Sequence, residues 1–222
     1  GRSRDGRLPS SGFDADESLL VLINTLAKMV LWILIGFAAG AIPFSLLVGH
    51  LALRTDIRSY GDGNPGATNV LRAGSKLWAF VAAFLDMLKG GLPVGLAYIT
   101  LGMRGFEIVP IALAPVLGHL YSPFLKGKGG KGVAVTGGIW IGLTNGVATL
   151  IGIVGMSAGY LIGDNPGWAV ALGLGGIGAY LVLFRHEPVL LAVWAINAAL
   201  VLWRYGETLR RCPHLRAKLK HK

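Results

Sequence analysis

The sequence predicts an all-α integral membrane protein with seven transmembrane helices, its amino terminus outside and its carboxy terminus cytoplasmic. Three observations carry that expectation. Of 222 residues, 53% are hydrophobic and 14% charged, with mean hydropathy +0.60, whereas a soluble domain carries about 25% charged residues. The 34 glycines suit helices that pack closely in lipid through small residues. The 21 lysines and arginines divide unevenly between alternate loops.

A helix needs about 20 apolar residues to cross the hydrocarbon core, fewer where protein surrounds it. The first span is read at 30–53, with Leu19 to Met29 as either an interfacial helix or its extension. Further spans follow at 78–101 and 107–125, then two short glycine-rich ones at 133–144 and 147–162. The last two lie at 168–184 and 189–203. Ahead of them, residues 1–18 read as a disordered polar tail that lacks the charge-then-apolar-then-cleavage order of a secretory signal. Residues 19–211 form one membrane domain and 212–222 a basic cytoplasmic tail.

Charge decides the orientation. The loops after the first, third, fifth and seventh spans hold 14 lysines and arginines, counted from Arg54 to Lys222. The opposite side holds five, namely Arg2, Arg4, Arg7, Arg104 and Arg185, and Lys28 and Lys89 fall near or within spans. The positive-inside rule makes the richer side cytoplasmic. The protein is therefore expected as a multi-pass protein of the cell inner membrane, with membrane lipids around it. Its net charge of +10 then reads as topology and attraction to anionic lipid, and no aromatic-and-basic module for nucleic acid stands out.

Two glycine-rich segments share that cytoplasmic side. Gly61 to Arg72 reads Gly-Asp-Gly-Asn-Pro-Gly-Ala-Thr-Asn-Val-Leu-Arg. Glycines let backbone N–H groups approach a ligand, Asn and Thr add donors, and an arginine supplies a bidentate fork. Lys126 to Gly132 repeats the pattern with three lysines. Lys126 and Lys128 suit a snorkelling anchor. Lys131, framed by Gly129, Gly130 and Gly132, suits an anion nest. Within the second span, Asp86 and Lys89 stand i, i+3 on one helix face. They are either a structural ion pair or a source of positive potential for a phosphate. His119 either ties down its loop through a backbone carbonyl or faces the site.

Several chemistries find no pattern here. The single cysteine, Cys212, excludes an intrachain disulfide. The histidines lack metal-ligand spacing, so no metal or cofactor is expected. A P-loop, a Gly-x-Ser-x-Gly elbow and a His-x4-Asp pair are missing. An enzyme built this way would work by positioning and electrostatics.

Together these segments resemble the bacterial membrane-embedded acyl-phosphate:glycerol-3-phosphate acyltransferase family. The resemblance runs from Gly40-Ala-Ile-Pro-Phe44 to about Arg211, and is strongest in Asp56 to Arg72, Asp86 to Gly90 and Gly118 to Val133. It implies a seven-helix fold with the amino terminus outside, and transfer of an acyl group from acyl phosphate to the 1-hydroxyl of glycerol 3-phosphate. By the same resemblance, Asn64, Gly66, Thr68 and Asn69 contact acyl phosphate, and Arg72 and Lys131 are the catalytic cations that clamp phosphate, that of glycerol 3-phosphate. Lys89, His119, Gly129 and Gly130 complete the binding region, with Tyr205 and Thr208 from a terminal motif.

That motif departs from the family pattern. Arg204 to Arg211 has Tyr205 where the family has histidine and Thr208 where it has asparagine, and Asp62 replaces a serine between the first two loop glycines. A carboxylate there repels a phosphate unless it is protonated, turned away or paired with a cation. The segment 163–167 lacks the family's serines. The alternative reading is a family-derived structural subunit of a larger membrane complex that has lost chemistry or binds phospholipid headgroups. A transporter is the third reading, and the gathering of ionisable residues at one face argues against it.

Overall fold

The computed structural model describes residues 15–214, with side chains from residue 17; the tail expected over 1–18 lies mostly outside them, as do residues 215–222. Every long element is helical, and among the described residues there is no strand. Helix α1 (Ala15–Ala41) and α2 (Phe44–Leu53) together make the first apolar run, so Leu19 to Met29 extends that span. Residues 15–18, assigned to the tail by their polarity, are α1's first turn.

The break between α1 and α2 falls at Ile42-Pro43, because proline has no N–H to continue the ladder. The carbonyls released there are captured from other segments. Ser122 Oγ donates to Ala41 O at 2.5 Å and Lys89 Nζ to Ile42 O at 2.7 Å. Buried backbone acceptors at a break need such partners.

A short helix, α3 (Ala67–Arg72), leads to α4 (Lys76–Gly95), which ends in a π turn at Leu96–Thr100. The central helix is α5 (Ile108–Leu120), whose Ile108, Ile111, Val116 and Leu120 are fully buried. It lies close against α1, where a Cβ at Gly40 would collide with the Pro115 backbone. Then come α6 (Val133–Thr144), α7 (Val147–Ile162) and α8 (Pro166–Tyr180), the last extended by a π turn at Leu181–Arg185. Finally α9 (Pro188–Arg204) precedes the single turn α10 (Gly206–Leu209).

Small residues set the helix spacing. Gly91 and Gly95 of α4 face Gly138 and Gly142 of α6, each pair four residues apart, and a Cβ at Gly142 would stand 2.7 Å from Gly95 N. The same device joins α7 to α8, where a Cβ at Gly159 would lie 2.5 Å from Ala169 Cα. Leu51, Phe80, Leu161 and Phe184 are turned outward on the bundle surface, as lipid contact requires.

All seven expected apolar runs are helical. Four of them, Glu17–Leu53, Lys76–Thr100, Ile108–Leu125 and Pro166–Arg185, are long and apolar enough to cross a membrane. Val133–Thr144, Val147–Ile162 and Pro188–Arg204 are shorter.

Candidate active site

The two glycine-rich loops meet. Asp62 of the first accepts from Lys131 of the second, Nζ to Oδ2, at 2.8 Å across 69 positions of sequence. On its other oxygen, Oδ1, Asp62 accepts from Asn69 Nδ2 at 3.1 Å and Arg72 Nη1 at 3.5 Å. Arg72 Nη1 also donates to Asn69 Oδ1 at 2.9 Å, and Asn69 Nδ2 to Asn64 O at 2.8 Å. Asn69 is buried and acts as the brace of this loop. The left-handed turn at Gly61 (φ 56) tucks beneath Arg72, whose guanidinium a Cβ at Gly61 would strike.

Burial raises the Asp62 carboxyl, but the hydrogen bond and charge of Lys131 outweigh it, helped by the Asn64 N–H and the Asn69 amide. The group is held below its ordinary value. Lys131 also lies over the Tyr205 ring, 4.6 Å from its centroid, a cation–π contact. Burial, with Tyr160 and Asp62 nearby, pushes the Tyr205 phenol up, so it stays protonated near neutrality.

The second loop owes its glycines to packing, which corrects the reading of Gly129 and Gly130 as an open anion nest. Gly129 N donates to Leu120 O and Gly130 N to His119 O, so neither N–H is presented to a ligand. A Cβ at Gly130 would collide with His119 Nε2, and one at Gly129 with His119 O. From the other side Arg204 donates to Gly129 O at 2.6 Å and Gly130 O at 3.3 Å. Lys131 is thus aimed by a loop held between His119 and Arg204. Sequence reasoning missed Arg204 as a positioning residue, although it heads the motif in which Tyr205 and Thr208 were singled out.

A cavity of about 310 Å³ opens beside Lys131. Its polar end is lined by Asn64, Gly66, Thr68, Lys131, His119, Asp86 and Tyr205. Inward it turns apolar, between Met87, Gly137, Ile153, Met156, Leu174 and Ile177 of α4, α6, α7 and α8. Sequence reasoning did not foresee this apolar arm, whose walls come from four helices.

Two expected binding residues stand elsewhere. Lys89 is buried against Asp86 at 2.7 Å and donates to Ile42 O, so its charge closes the helix break and does not line the cavity. Asp86 Oδ2 takes the Ser45 hydroxyl at 2.6 Å. Thr208 packs near Gly167 and offers its carbonyl to Asn165 Nδ2 at 2.9 Å, away from the lining. Asn165 Nδ2 also donates to Arg211 O, stapling the terminal motif to α8's start. Among the described residues no group of His, Cys, Asp and Glu is arranged to hold a metal.

A helical bundle whose cationic mouth opens into an apolar arm defines a membrane protein suited to an amphiphile with an anionic head. A family model described as glycerol-3-phosphate acyltransferase matches residues 30–214, and the chain belongs to that family. It is 37% identical over 182 residues to the glycerol-3-phosphate acyltransferase of Erythrobacter litoralis, covering 80% of this chain and 88% of the relative. It is 39% identical over 207 residues to glycerol-3-phosphate acyltransferase 3 of Dehalococcoides mccartyi, covering 84% and 93%. Among solved structures it resembles PlsY, an integral membrane glycerol 3-phosphate acyltransferase, in its glycerol 3-phosphate form. There the TM-score is 0.78 at 27% identity, over 87% of this chain and 98% of that one. The lysophosphatidic acid form gives 0.77 at 26%, over 86% and 97%.

Proposed function

We propose that this protein is a glycerol-3-phosphate acyltransferase of phospholipid synthesis, taking its acyl group from acyl phosphate. The observation that carries the reading is the cavity, which joins a lysine-bearing polar mouth to an apolar arm. An acyl phosphate has that polarity, with its phosphate at Lys131, Asn64 and Thr68 and its chain among Ile153, Met156 and Leu174. Glycerol 3-phosphate brings a second anion, for which Arg72 is the neighbouring cation. Holding both together lowers the entropy cost of their encounter.

The glycerol 1-hydroxyl oxygen attacks the acyl carbonyl carbon, and the bond from that carbon to the phosphate oxygen breaks. The departing phosphate takes the hydroxyl proton, so no protein base is needed. Lys131 stabilises charge gathering on the leaving phosphate. Lysophosphatidic acid and inorganic phosphate are the products. The activated donor makes a cofactor unnecessary.

Seven spans accompany this reading, with the amino terminus outside and both glycine-rich loops cytoplasmic in the inner membrane. The excess of lysine and arginine on alternate loops supports that orientation. Cys212, the chain's one cysteine and exposed, reports it. A membrane-impermeant maleimide should label Cys212 only after the cells are opened, and labelling of intact spheroplasts would reverse the topology.

Activity is tested with purified protein, palmitoyl phosphate and radiolabelled glycerol 3-phosphate, with palmitoyl-CoA as the competing donor. Lys131→Ala should lose about 100-fold or more in rate, the scale of removing one charge-stabilising group. Equal product from wild type and a folded Lys131→Ala would defeat the assignment of Lys131.

A further inference from the structure

Asp62 sits where an anionic ligand would sit. Its two oxygens engage Lys131 at 2.8 Å, Asn69 at 3.1 Å and Arg72 at 3.5 Å, a lysine, an amide and a guanidinium converging on one carboxylate. These donors are the ones a phosphate oxygen would use. The carboxylate is nevertheless not locked in, since its side chain is 43% exposed and that of Lys131 23%.

Charge arithmetic then matters. Lys131 and Arg72 supply two positive charges, and Asp62 cancels one of them. A phosphate monoester carries roughly −1.5 to −2 near neutrality. Added beside a seated Asp62, it leaves the cluster net negative, with two anions at close range. Replacing Asp62, it leaves the cluster close to neutral. Entry of the phosphate is therefore an exchange of one anion for another.

We infer that Asp62 is an affinity-setting residue of the acyltransferase site, an internal anion that occupies Lys131 and Arg72 until a substrate phosphate displaces it. The inference rests on the phosphate-binding reading of Lys131 given above. Asp62 thereby weakens binding of phosphate-bearing ligands and keeps the cluster from filling with inorganic phosphate, a product of the reaction. A role as general base fits the geometry less well. A carboxylate committed to a lysine and a guanidinium is a poor proton acceptor. Its partners also already account for both oxygens.

The test compares wild type with Asp62→Asn, which keeps shape and removes charge, and with Asp62→Ser, which keeps a small acceptor for Asn69. The KM for glycerol 3-phosphate and for palmitoyl phosphate is measured for each, together with inhibition by inorganic phosphate. One charge at contact distance predicts a fall of about tenfold in the KM of whichever substrate places its phosphate there. The inhibition constant for inorganic phosphate should fall in parallel. Which of the two KM values falls identifies the phosphate that meets the cluster. Unchanged or raised KM values in both variants, with Lys131→Ala inactive, would overturn the inference while leaving the site reading intact; that is also the sign expected if Asp62 merely braces the loop. A fully active Lys131→Ala would instead remove the phosphate site on which the inference stands.

Discussion

Two aspartate–lysine pairs in this molecule have nearly the same length and opposite circumstances. Asp86 and Lys89 lie 2.7 Å apart with side chains 3% and 2% exposed. Asp62 and Lys131 lie 2.8 Å apart at 43% and 23%. The buried pair is one turn of a single helix and also engages Ser45 and the Ile42 carbonyl, although Asp86 borders the cavity as well. The exposed pair joins two loops at the mouth of a cavity. Separation alone does not tell a structural ion pair from a ligand site. What tells them apart is whether water or substrate can replace a partner.

The comparison breaks most visibly at Asp86. Removing one member of a buried pair strands the other charge, at a cost of about 3–5 kcal/mol. Asp86→Ala should therefore lower the unfolding temperature in detergent severely, and adding Lys89→Met should recover part of the loss. A single Asp86→Ala as stable as wild type would mean that the pair does not close the helix break. Lys131→Ala should show the reverse pattern. Its activity falls steeply, while its stability changes by about 1 kcal/mol or less, as for pairs in contact with solvent. A large stability loss at Lys131 would erase the distinction.

The smallest effect is in acid. Because the Asp62 carboxyl is held below its ordinary value of 3.8, its pairing with Lys131, supported by the Asn64 N–H and the Asn69 amide, contributes fully above that value. The contribution is lost as pH falls through the lower folded value. Wild type minus Asp62→Asn, measured by unfolding temperature, should be flat above about pH 5 and shrink below about pH 4. A difference that grows in acid would contradict the pairing.

Much of this was legible beforehand because it is local. Apolar runs of fixed length located the helices, and the spacing of Asp86 and Lys89 identified a pair on one helix face. The resemblance singled out Asp62, and the structure supplies the cation partners that its placement demanded. Gly129 and Gly130 were misread for a physical reason. A glycine kept for close packing and one kept for an exposed N–H look the same in a sequence, and only the Leu120 and His119 carbonyls distinguish them. Lys89 was ambiguous until the broken helix beside it showed an acceptor that needed a donor. Thr208 followed a motif whose register continues past the cavity.

The sequence by itself determined the class of fold and the positions of the helices, since hydropathy and charge act residue by residue. Only the tertiary structure decided which charged pairs are withdrawn from water and which stay in contact with it. That depends on contacts between segments as far apart as Asp62 and Lys131, and on how deeply those contacts are withdrawn from water.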